Sequence, residues 1–267
     1  MPMKKTLTLA GSDSSGGAGI QADLKTFQEL NVYGMTALTS IVTMVPETWT
    51  HQVTAIDVNL VENQLDTILS LGIDAMKTGM LGSVDIIELG ANKIKKNNLT
   101  NVVVDPVMVC KGDDEVLQPE NTVALREHLL PVASITTPNL FEAGQLAQTG
   151  PITNLEQMKE AAKIILDLGV KNVVIKGGSA LNHDKAVDLF YDGHEFLILE
   201  KEKLETNNNH GAGCTFAAAI TANLAQGKPI KEAVIHAKDF VYAAIQAGFK
   251  LNQFVGSVNH GAWNHVK

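Results

Sequence analysis

The sequence predicts an α/β protein with a mostly parallel, buried central sheet and one antiparallel hairpin late in the chain. Three observations support this fold class. Short β-branched runs alternate with helical patterns along the chain, and the run 102–105 is typical of a buried strand. Asp192-Gly193 stands between two apolar runs, as in a two-residue hairpin turn. Because neither an internal repeat nor a Pro/Ser-rich linker is visible, we expect a single domain over residues 1–267.

The first half of the chain opens with a strand pattern at 6–10. A helix is predicted over 20–30, because Leu24, Phe27 and Leu30 are spaced to share one face. The remaining strands predicted in this half lie at 35–44, 75–78 and 102–105, and the remaining helices at 59–71 and 84–96.

Proline and glycine mark the element boundaries of the second half. Pro119 lies near the start of a predicted helix, 119–130, where its missing N–H is harmless. Pro138 ends a strand and Gly169 closes a helix. The strands predicted here are 134–137, 173–176, 187–191 and 195–199, and the further helices are 154–168, 212–225 and 230–249.

Composition excludes several classes of function. Hydrophobic residues make up 45% and charged residues 19%, which is typical of a globular protein. With a net charge of −8 and no block of like charges, we expect neither a nucleic-acid surface nor a polybasic membrane patch. No apolar run approaches the roughly 18 residues that span a bilayer. Residues 1–5 precede a strand pattern rather than the apolar region of a signal peptide, so we expect a cytoplasmic protein.

The two cysteines, Cys110 and Cys214, are not expected to form a structural disulfide in a reducing compartment. Their spacing does not suggest zinc. One interpretation is that each is a small buried core residue. Cys214, however, follows Gly211-Ala212-Gly213 and lies in the first turn of a predicted helix. Helix N-termini lower thiol pKa values to roughly 3.5–7.5, so we expect a thiolate there that could take a proton from a substrate hydroxyl.

The turn before Cys214 is a candidate phosphate site. Glycine lets backbone N–H groups converge, and the helix that follows adds partial positive charge at its N-terminus. The alternative is an ordinary glycine-rich loop. Ligands of parallel sheets bind outside the carboxyl ends of the strands, so other polar segments should converge there too. These segments are 11–19, 105–112, 138–142 and 176–179.

The segment 11–23 allows a different reading. Gly17-x-Gly19-x-x-Ala22 matches the dinucleotide fingerprint, which keeps an NAD(P)-binding protein as an alternative. Two features weaken this match. Six residues separate Ala10 from Gly17, and no acidic residue ends a clear second strand about 20 residues further on. A Walker A motif is also missing from the sequence.

Three further segments after strands carry candidate ligands. Asn139 and Glu142 could organise Mg²⁺ and phosphate through water, or could simply begin a helix. Lys176, before two glycines, offers a cation for phosphates, unless it is solvated. Asp105 could serve the metal or cap the next turn.

Together these pieces resemble the ribokinase-like superfamily, in particular its vitamin kinases for pyridoxal and hydroxymethylpyrimidine, over nearly the whole chain. The matching stretches are GSDSSGGAGIQADLKT at 11–26, MKTGMLG at 76–82, VVVDPVM at 102–108, TPNLFEA at 137–143, VIKGG at 174–178 and HGAGCTFAAA at 210–219.

The resemblance implies a three-layer α/β/α fold, ATP, Mg²⁺ and a homodimer, and leaves open whether K⁺ assists. It implies that residues 211–213 form the anion hole for the phosphoryl group, and that a flap over about 110–117 covers the substrate. The implied nucleotide-side residues are Asn139, Glu142, Lys176, Asp188 and Gly213, with Glu142 and Asp105 for the metal. The implied substrate contacts are Asp23, Met44, Met80, Val107 and Cys110.

Two departures from the family pattern refine the expected function. Most of the superfamily has Asp as catalytic base where this chain has Cys214. Hydroxymethylpyrimidine kinases typically carry Gln where this chain has Met44, which better suits an apolar pyridine face. We therefore expect a pyridoxal, pyridoxine and pyridoxamine kinase, with Cys110 forming a hemithioacetal with the pyridoxal aldehyde. A hydroxymethylpyrimidine kinase and a non-catalytic vitamin-binding module are the alternatives.

Overall fold

The computed structural model describes residues 2–108 and 119–265 and centres on a nine-stranded sheet. The strands are β1 (Lys5–Asp13), β2 (Tyr33–Met44), β3 (His51–Ala55), β4 (Ala75–Thr78), β5 (Val102–Val104), β6 (Ile135–Thr136), β7 (Val173–Gly178), β8 (Ala186–Tyr191) and β9 (Phe196–Lys201). Their order across the sheet is β3-β2-β1-β4-β5-β6-β7-β8-β9. The strands from β2 to β7 run parallel. At one edge β3 pairs antiparallel with β2, and at the other β8 pairs antiparallel with β7 and β9 antiparallel with β8. The predicted mostly parallel sheet is confirmed.

Helices cover both faces of the sheet. They are α1 (Gly19–Glu29), α2 (Val58–Ser70), α3 (Val84–Lys96), α4 (Pro119–Ala124), α5 (Leu140–Ala147), α6 (Leu155–Asp167), α7 (Ala212–Ala225), α8 (Ile230–Gln246) and α9 (Ala262–His265). A small hairpin of β10 (Phe249–Lys250) and β11 (Gly256–Ser257) follows α8. Among the described residues, no helix is both long and apolar enough to cross a membrane.

The sheet is buried on both faces, as its apolar strands predict. Val102 and Val104 of β5 pack into a core shared with α2, α3 and α6, whereas Val103 packs into a second core shared with α1, α7 and α8. Alternate side chains of a strand point to opposite faces, so three consecutive valines serve two cores. The three-layer arrangement implied by the resemblance is therefore observed.

Several local details differ from the predicted elements. The helix predicted over 230–249 ends at Gln246, and residue 249 lies in β10 instead. The loop between β8 and β9 has four residues rather than two, because the Asp192 carboxylate accepts the N–H groups of His194 and Glu195. Only the first part of the predicted helix 119–130 is α-helical, as α4. The chain continues as a wide π turn and then a 3₁₀ turn, because Pro131 has no N–H to donate to an α-helical hydrogen bond. Strand β3 was not predicted, because four of its five side chains are exposed and no apolar alternation marks it. Helix α5 was expected only as an alternative to a ligand site.

The connections place a crevice at the carboxyl ends of β1 and β4. From β1 the chain moves to β2 on one side, and later returns to β4 on the other side of β1. Strand order reverses at this point, and α/β sheets bind ligands in the crevice that such a reversal opens.

Candidate active site

A cavity of about 750 Å³ lies along the carboxyl edge of the sheet. It extends from β2 and β3 at one edge to β8, β9 and α8 at the other. The predicted convergence of polar segments is observed here, since its walls include residues of 11–19, Asp105, 139–142 and 176–179 together with the turn 211–214. This volume lies within the range of pockets for small molecules and cofactors.

The turn before α7 has the geometry of an anion site. Gly211 adopts a left-handed conformation with φ of 85°, and a Cβ at this position would overlap the carbonyl oxygen of Gly17. Helix α7 starts at Ala212, and residues 211–214 line the cavity. The first N–H groups of a helix have no partner within the helix, although that of Ala212 donates to the Asn209 carbonyl at 3.2 Å. A Cβ added at Gly213 would lie 3.5 Å from the Lys176 Nζ atom. Backbone donors, helix dipole and one ammonium group therefore meet at one place.

Asp13 and His210 form a buried pair that joins this turn to the glycine-rich loop after β1. The His210 Nε2 atom lies 2.7 Å from Asp13 Oδ2, and both side chains are less than 10% exposed. Asp13 also accepts hydrogen bonds from the backbone N–H groups of Ser15 and Ala18. Burial by itself raises the pKa of Asp13, but the hydrogen bonds from His210 and Ser15 outweigh it and lower the pKa to about 2. Sequence reasoning gave neither residue a role.

Cys214 lies in the first turn of α7 as predicted, but its predicted low pKa is wrong for this structure. The thiol is partly exposed to the cavity, yet it lies deep enough for burial to raise its pKa to about 11. The Lys77 ammonium opposes this rise, whereas the carboxylates of Asp23 and Asp105 add to it. Burial and nearby negative charge therefore outweigh the helix N-terminus, and the thiol is protonated at neutral pH.

Asp23 does not line the cavity, so its expected contact with the substrate is not observed. Its side chain is fully buried in α1, where Oδ2 accepts hydrogen bonds from Lys77 Nζ at 3.0 Å and Thr8 Oγ1 at 2.6 Å. The reason is helical geometry, since Asp23 lies on the face of α1 that packs against the sheet. Lys77 is the partner that reaches the cavity wall. A lysine inside a four-residue buried strand was the sequence signal that we missed.

Lys176 connects the residues expected at the phosphates and the metal. Its Nζ atom donates to Asp105 Oδ1 at 2.9 Å. Asn139 and Glu142 form a capping box at the start of α5, each side chain accepting the other's backbone N–H at 2.8 Å. Burial raises the pKa of Glu142 to about 7, with Lys176 opposing the rise and Asp105 adding to it. Asn139 and Glu142 therefore start a helix and also line the cavity, while their role with Mg²⁺ and phosphate stays a prediction.

Asp105 and Glu142 are suited to bind a Mg²⁺ ion whose remaining ligands are water and phosphate oxygens. Asp105 and Glu142 both line the cavity, and the charge of Asp105 adds to the rise in the pKa of Glu142 that burial causes. Within residues 2–108 and 119–265, no group of three or more His, Cys, Asp or Glu side chains could hold a metal ion alone. Mg²⁺ commonly binds through one or two carboxylates, waters and substrate phosphates, and this donor set is of that kind.

Asp188 lines the cavity, but both of its carboxylate oxygens accept hydrogen bonds from the protein. Oδ1 accepts the Gly178 N–H at 3.0 Å, and Oδ2 accepts Lys238 Nζ at 2.7 Å. It therefore holds a loop and a cation in place, while its expected contact with ATP stays a prediction. Lys238, Val241 and Tyr242 of α8 also line the cavity. The sequence pattern indicated a role for none of them.

The opposite end of the cavity is largely apolar. Met44, Met80 and Val107 line it as expected. His51 lies there too, opposite Met44 in the β2–β3 pair, and was missed because β3 was not predicted. Cys110 and the expected flap at 110–117 lie outside the described residues.

A cavity at the β1–β4 reversal, a turn before α7 with the geometry of an anion site, and paired lysines and carboxylates are the features of a small-molecule kinase. Residues 13–259 match the family described as phosphomethylpyrimidine kinase, and the chain belongs to this family.

Particular relatives narrow the class. The chain is 59% identical to the pyridoxine kinase of Bacillus subtilis, over 98% of this chain and 97% of that protein. The structure of an ADP complex of Bacillus subtilis pyridoxal kinase is similar with a TM-score of 0.96 and 58% identity, covering 98% of this chain and 99% of that one. Pyridoxal kinase from Staphylococcus aureus in complex with pyridoxal gives a TM-score of 0.95 and 56% identity, covering 100% and 97%. The resemblance to the vitamin kinases of the ribokinase-like superfamily is thus confirmed.

Proposed function

We propose that this protein is an ATP-dependent kinase that phosphorylates the 5′-hydroxymethyl group of pyridoxal, and also of pyridoxine and pyridoxamine, in vitamin B6 salvage. One observation carries the proposal: a single cavity joins the phosphate-binding turn 211–214 to an apolar end lined by Met44, Met80 and Val107. An apolar wall suits a pyridine ring, and the turn suits the transferring phosphoryl group. Relatives with ADP and with pyridoxal support the same pair of ligands.

The nucleotide would occupy the end of the cavity between α5, β7 and α8. Lys176 faces both Asp105 and the turn, so its ammonium can bridge phosphate oxygens. Mg²⁺, held by Asp105 and Glu142 together with water and phosphate oxygens, would neutralise phosphate charge when bound. The N–H groups of residues 211–213 would then stabilise the charge of the phosphoryl group during transfer.

Cys214 is the candidate for the proton acceptor. Phosphoryl transfer has a loose transition state, so the attacking hydroxyl can lose its proton late. Because the thiol is protonated at neutral pH, only the fraction of molecules with a thiolate can accept that proton. The nearby Lys77 ammonium favours this thiolate. The proposed role of Cys214 therefore makes the rate of transfer depend on pH.

A substrate panel tests the proposal. The purified protein would be incubated with ATP and Mg²⁺ and with pyridoxal, pyridoxine, pyridoxamine or hydroxymethylpyrimidine, and phosphorylated product measured. We expect turnover of the three B6 vitamers, and a loss of roughly 10²–10⁴-fold in Cys214→Ala, as for removal of a general base. Faster turnover of hydroxymethylpyrimidine would overturn the substrate assignment, and full activity of Cys214→Ala would overturn the base assignment.

Met44 provides a matched specificity variant at the apolar end of the cavity. Met44→Gln should raise turnover of hydroxymethylpyrimidine relative to pyridoxal, because an amide can both donate to and accept from a pyrimidine, whereas a thioether is only a weak acceptor. An unchanged ratio would mean that Met44 does not set the preference.

Three finer points belong to the same proposal. Cys110 would form a hemithioacetal with pyridoxal, so Cys110→Ala should impair pyridoxal turnover far more than pyridoxine turnover; equal losses would exclude the adduct.

We further propose a homodimer, testable by light scattering, and a cytoplasmic location. Transfer should stop when a chelator removes Mg²⁺ and resume when the ion is restored.

A further inference from the structure

The glycine-rich loop after β1 and the turn before α7 interlock, although some 190 residues separate them. In the loop, Gly17 has no room for a side chain, because a Cβ there would overlap the His210 ring. In the turn, a Cβ at Gly211 would overlap the Gly17 carbonyl oxygen. The Gly19 N–H donates a hydrogen bond to the Cys214 sulfur. Each segment therefore restricts the position of the other through direct contact.

A polar pair, Asp13 and His210, also links the loop to the turn. His210 precedes Gly211 directly, and its Nε2 atom lies 2.7 Å from Asp13 Oδ2. Asp13 is ionised at neutral pH and can only accept, so Nε2 carries the proton and donates. With the His210 side chain 9% exposed and that of Asp13 7%, the bond is shielded from competing water.

Both partners are anchored to rigid elements. Asp13 is the last residue of β1, and its N–H donates to the Gln21 side chain in α1. The His210 backbone donates to the Gly256 carbonyl at 3.0 Å and accepts from Val258 N–H at 3.2 Å. The pair therefore ties the central sheet to the residue that begins the phosphate-binding turn.

From this geometry we propose that Asp13 and His210 are positioning residues for phosphoryl transfer, which hold the N–H groups of 211–213 and the Cys214 thiol in their reactive arrangement. The proposal rests on the proposed function and deepens it. Neither side chain needs to contact the vitamer. Without the pair, the turn should become more mobile. Its backbone N–H groups would then stabilise the charge of the phosphoryl group less well, because such donors lose effect with small displacements.

The kinetic test compares His210→Phe and Asp13→Asn with wild type and with the conservative His210→Gln, whose amide can still donate to Asp13. We expect kcat to fall roughly 10- to 100-fold in His210→Phe, with KM for ATP and pyridoxal within about threefold, since the lost interaction acts in the transition state. His210→Gln should recover most of kcat. A fall confined to KM, or no recovery in His210→Gln, would overturn the proposal.

Ser15→Ala is the matched control for the Asp13 variants. It removes the 3.0 Å hydrogen bond from Ser15 Oγ to the same carboxylate but leaves His210 in place. We expect kcat close to that of wild type. Losses as large as those of His210→Phe would mean that any disturbance of Asp13 suffices, and would contradict a specific role for the pair.

Hydrogen exchange measured by mass spectrometry separates failure of this proposal from failure of the proposed function, because it requires no turnover. Exchange should rise in 11–19 and 210–215 in His210→Phe and stay unchanged in β5 and α6. Faster exchange throughout the protein would indicate a general structural role and overturn the proposal. If no B6 vitamer is phosphorylated by wild type, the proposed function fails, while this local exchange pattern still decides whether the pair holds the turn.

Discussion

Among single residues, Cys214 is the proposed proton acceptor, and burial raises the pKa of its thiol to about 11. A base with a raised pKa gains its active form as pH rises. If Cys214 accepts the hydroxyl proton, kcat for pyridoxal should rise by up to tenfold per pH unit between pH 7 and about 10. Cys214→Asp should give a much flatter profile over this range, because a carboxylate is ionised there. Both profiles are measured with saturating ATP and pyridoxal, and a flat wild-type profile would contradict the assignment.

Lys77 and Asp23 form an ion pair with both side chains fully buried. Removing one member leaves the other charge buried without compensation, at a cost of about 3–5 kcal/mol. Lys77→Met should therefore lower the free energy of unfolding by this amount, measured in urea.

The double variant Lys77→Met with Asp23→Leu should recover much of that loss, because it leaves no buried charge. The surface pair of Lys4 and Asp74 gives the matched control, since its side chains are 43% and 28% exposed. Lys4→Met should cost at most about 1 kcal/mol. If the single and double variants at 77 were equally unstable, lost packing rather than lost charge pairing would be the cause.

At the scale of elements, α7 has a left-handed glycine at each end. Gly211 has φ of 85° and no space for a Cβ, whereas Gly227 has φ of 86° and nothing within 4 Å of that position. Gly227→Ala should cost about 1–2 kcal/mol of stability, the strain of a left-handed alanine, with kcat preserved. Gly211→Ala carries the same strain and also pushes against Gly17, so it should cost more stability and abolish transfer. Thermal unfolding and turnover of both variants, measured together, would contradict this if Gly211→Ala kept full activity.

Elements were predictable where their pattern was strong. Helices α3 and α7 and strand β4 begin and end where the sequence predicts. Strand β3 escaped prediction because its pairing with β2, not its own side chains, creates it. That strand brings His51 to the cavity, so a weak local signal concealed a residue of the candidate site.

For the molecule as a whole, His260 should make the free energy of unfolding depend on pH. Its side chain is buried, and its Nε2 atom has no hydrogen-bond partner among the described residues. Burial, aided by the Lys25 charge, lowers its pKa from 6.5 to about 4. The folded state thus binds fewer protons than the unfolded state between these values, so stability falls as pH falls through this window, by up to about 3 kcal/mol.

His260→Gln should remove this part of the pH dependence, which urea unfolding at pH 7 and pH 4 would measure. Asp13 acts in a lower window, because its pKa is depressed from 3.8 to about 2 and its contribution is lost only as pH falls through those values. A wild-type stability loss between pH 6.5 and 4 that persists unchanged in His260→Gln would show that other groups control it.

The fold class, the glycine turn at the start of α7 and most of the polar segments that meet at the cavity could be predicted from the sequence alone. These follow from local pattern, glycine placement and the rule that ligands bind at the carboxyl ends of parallel strands. The protonation of Cys214, the burial of Asp23 behind Lys77 and the pairing of Asp13 with His210 became visible only in the folded chain. The physical reason is that burial and charge depend on residues far apart in sequence: Asp13 and His210 are neighbours only because the loop after β1 and the turn before α7 pack against each other.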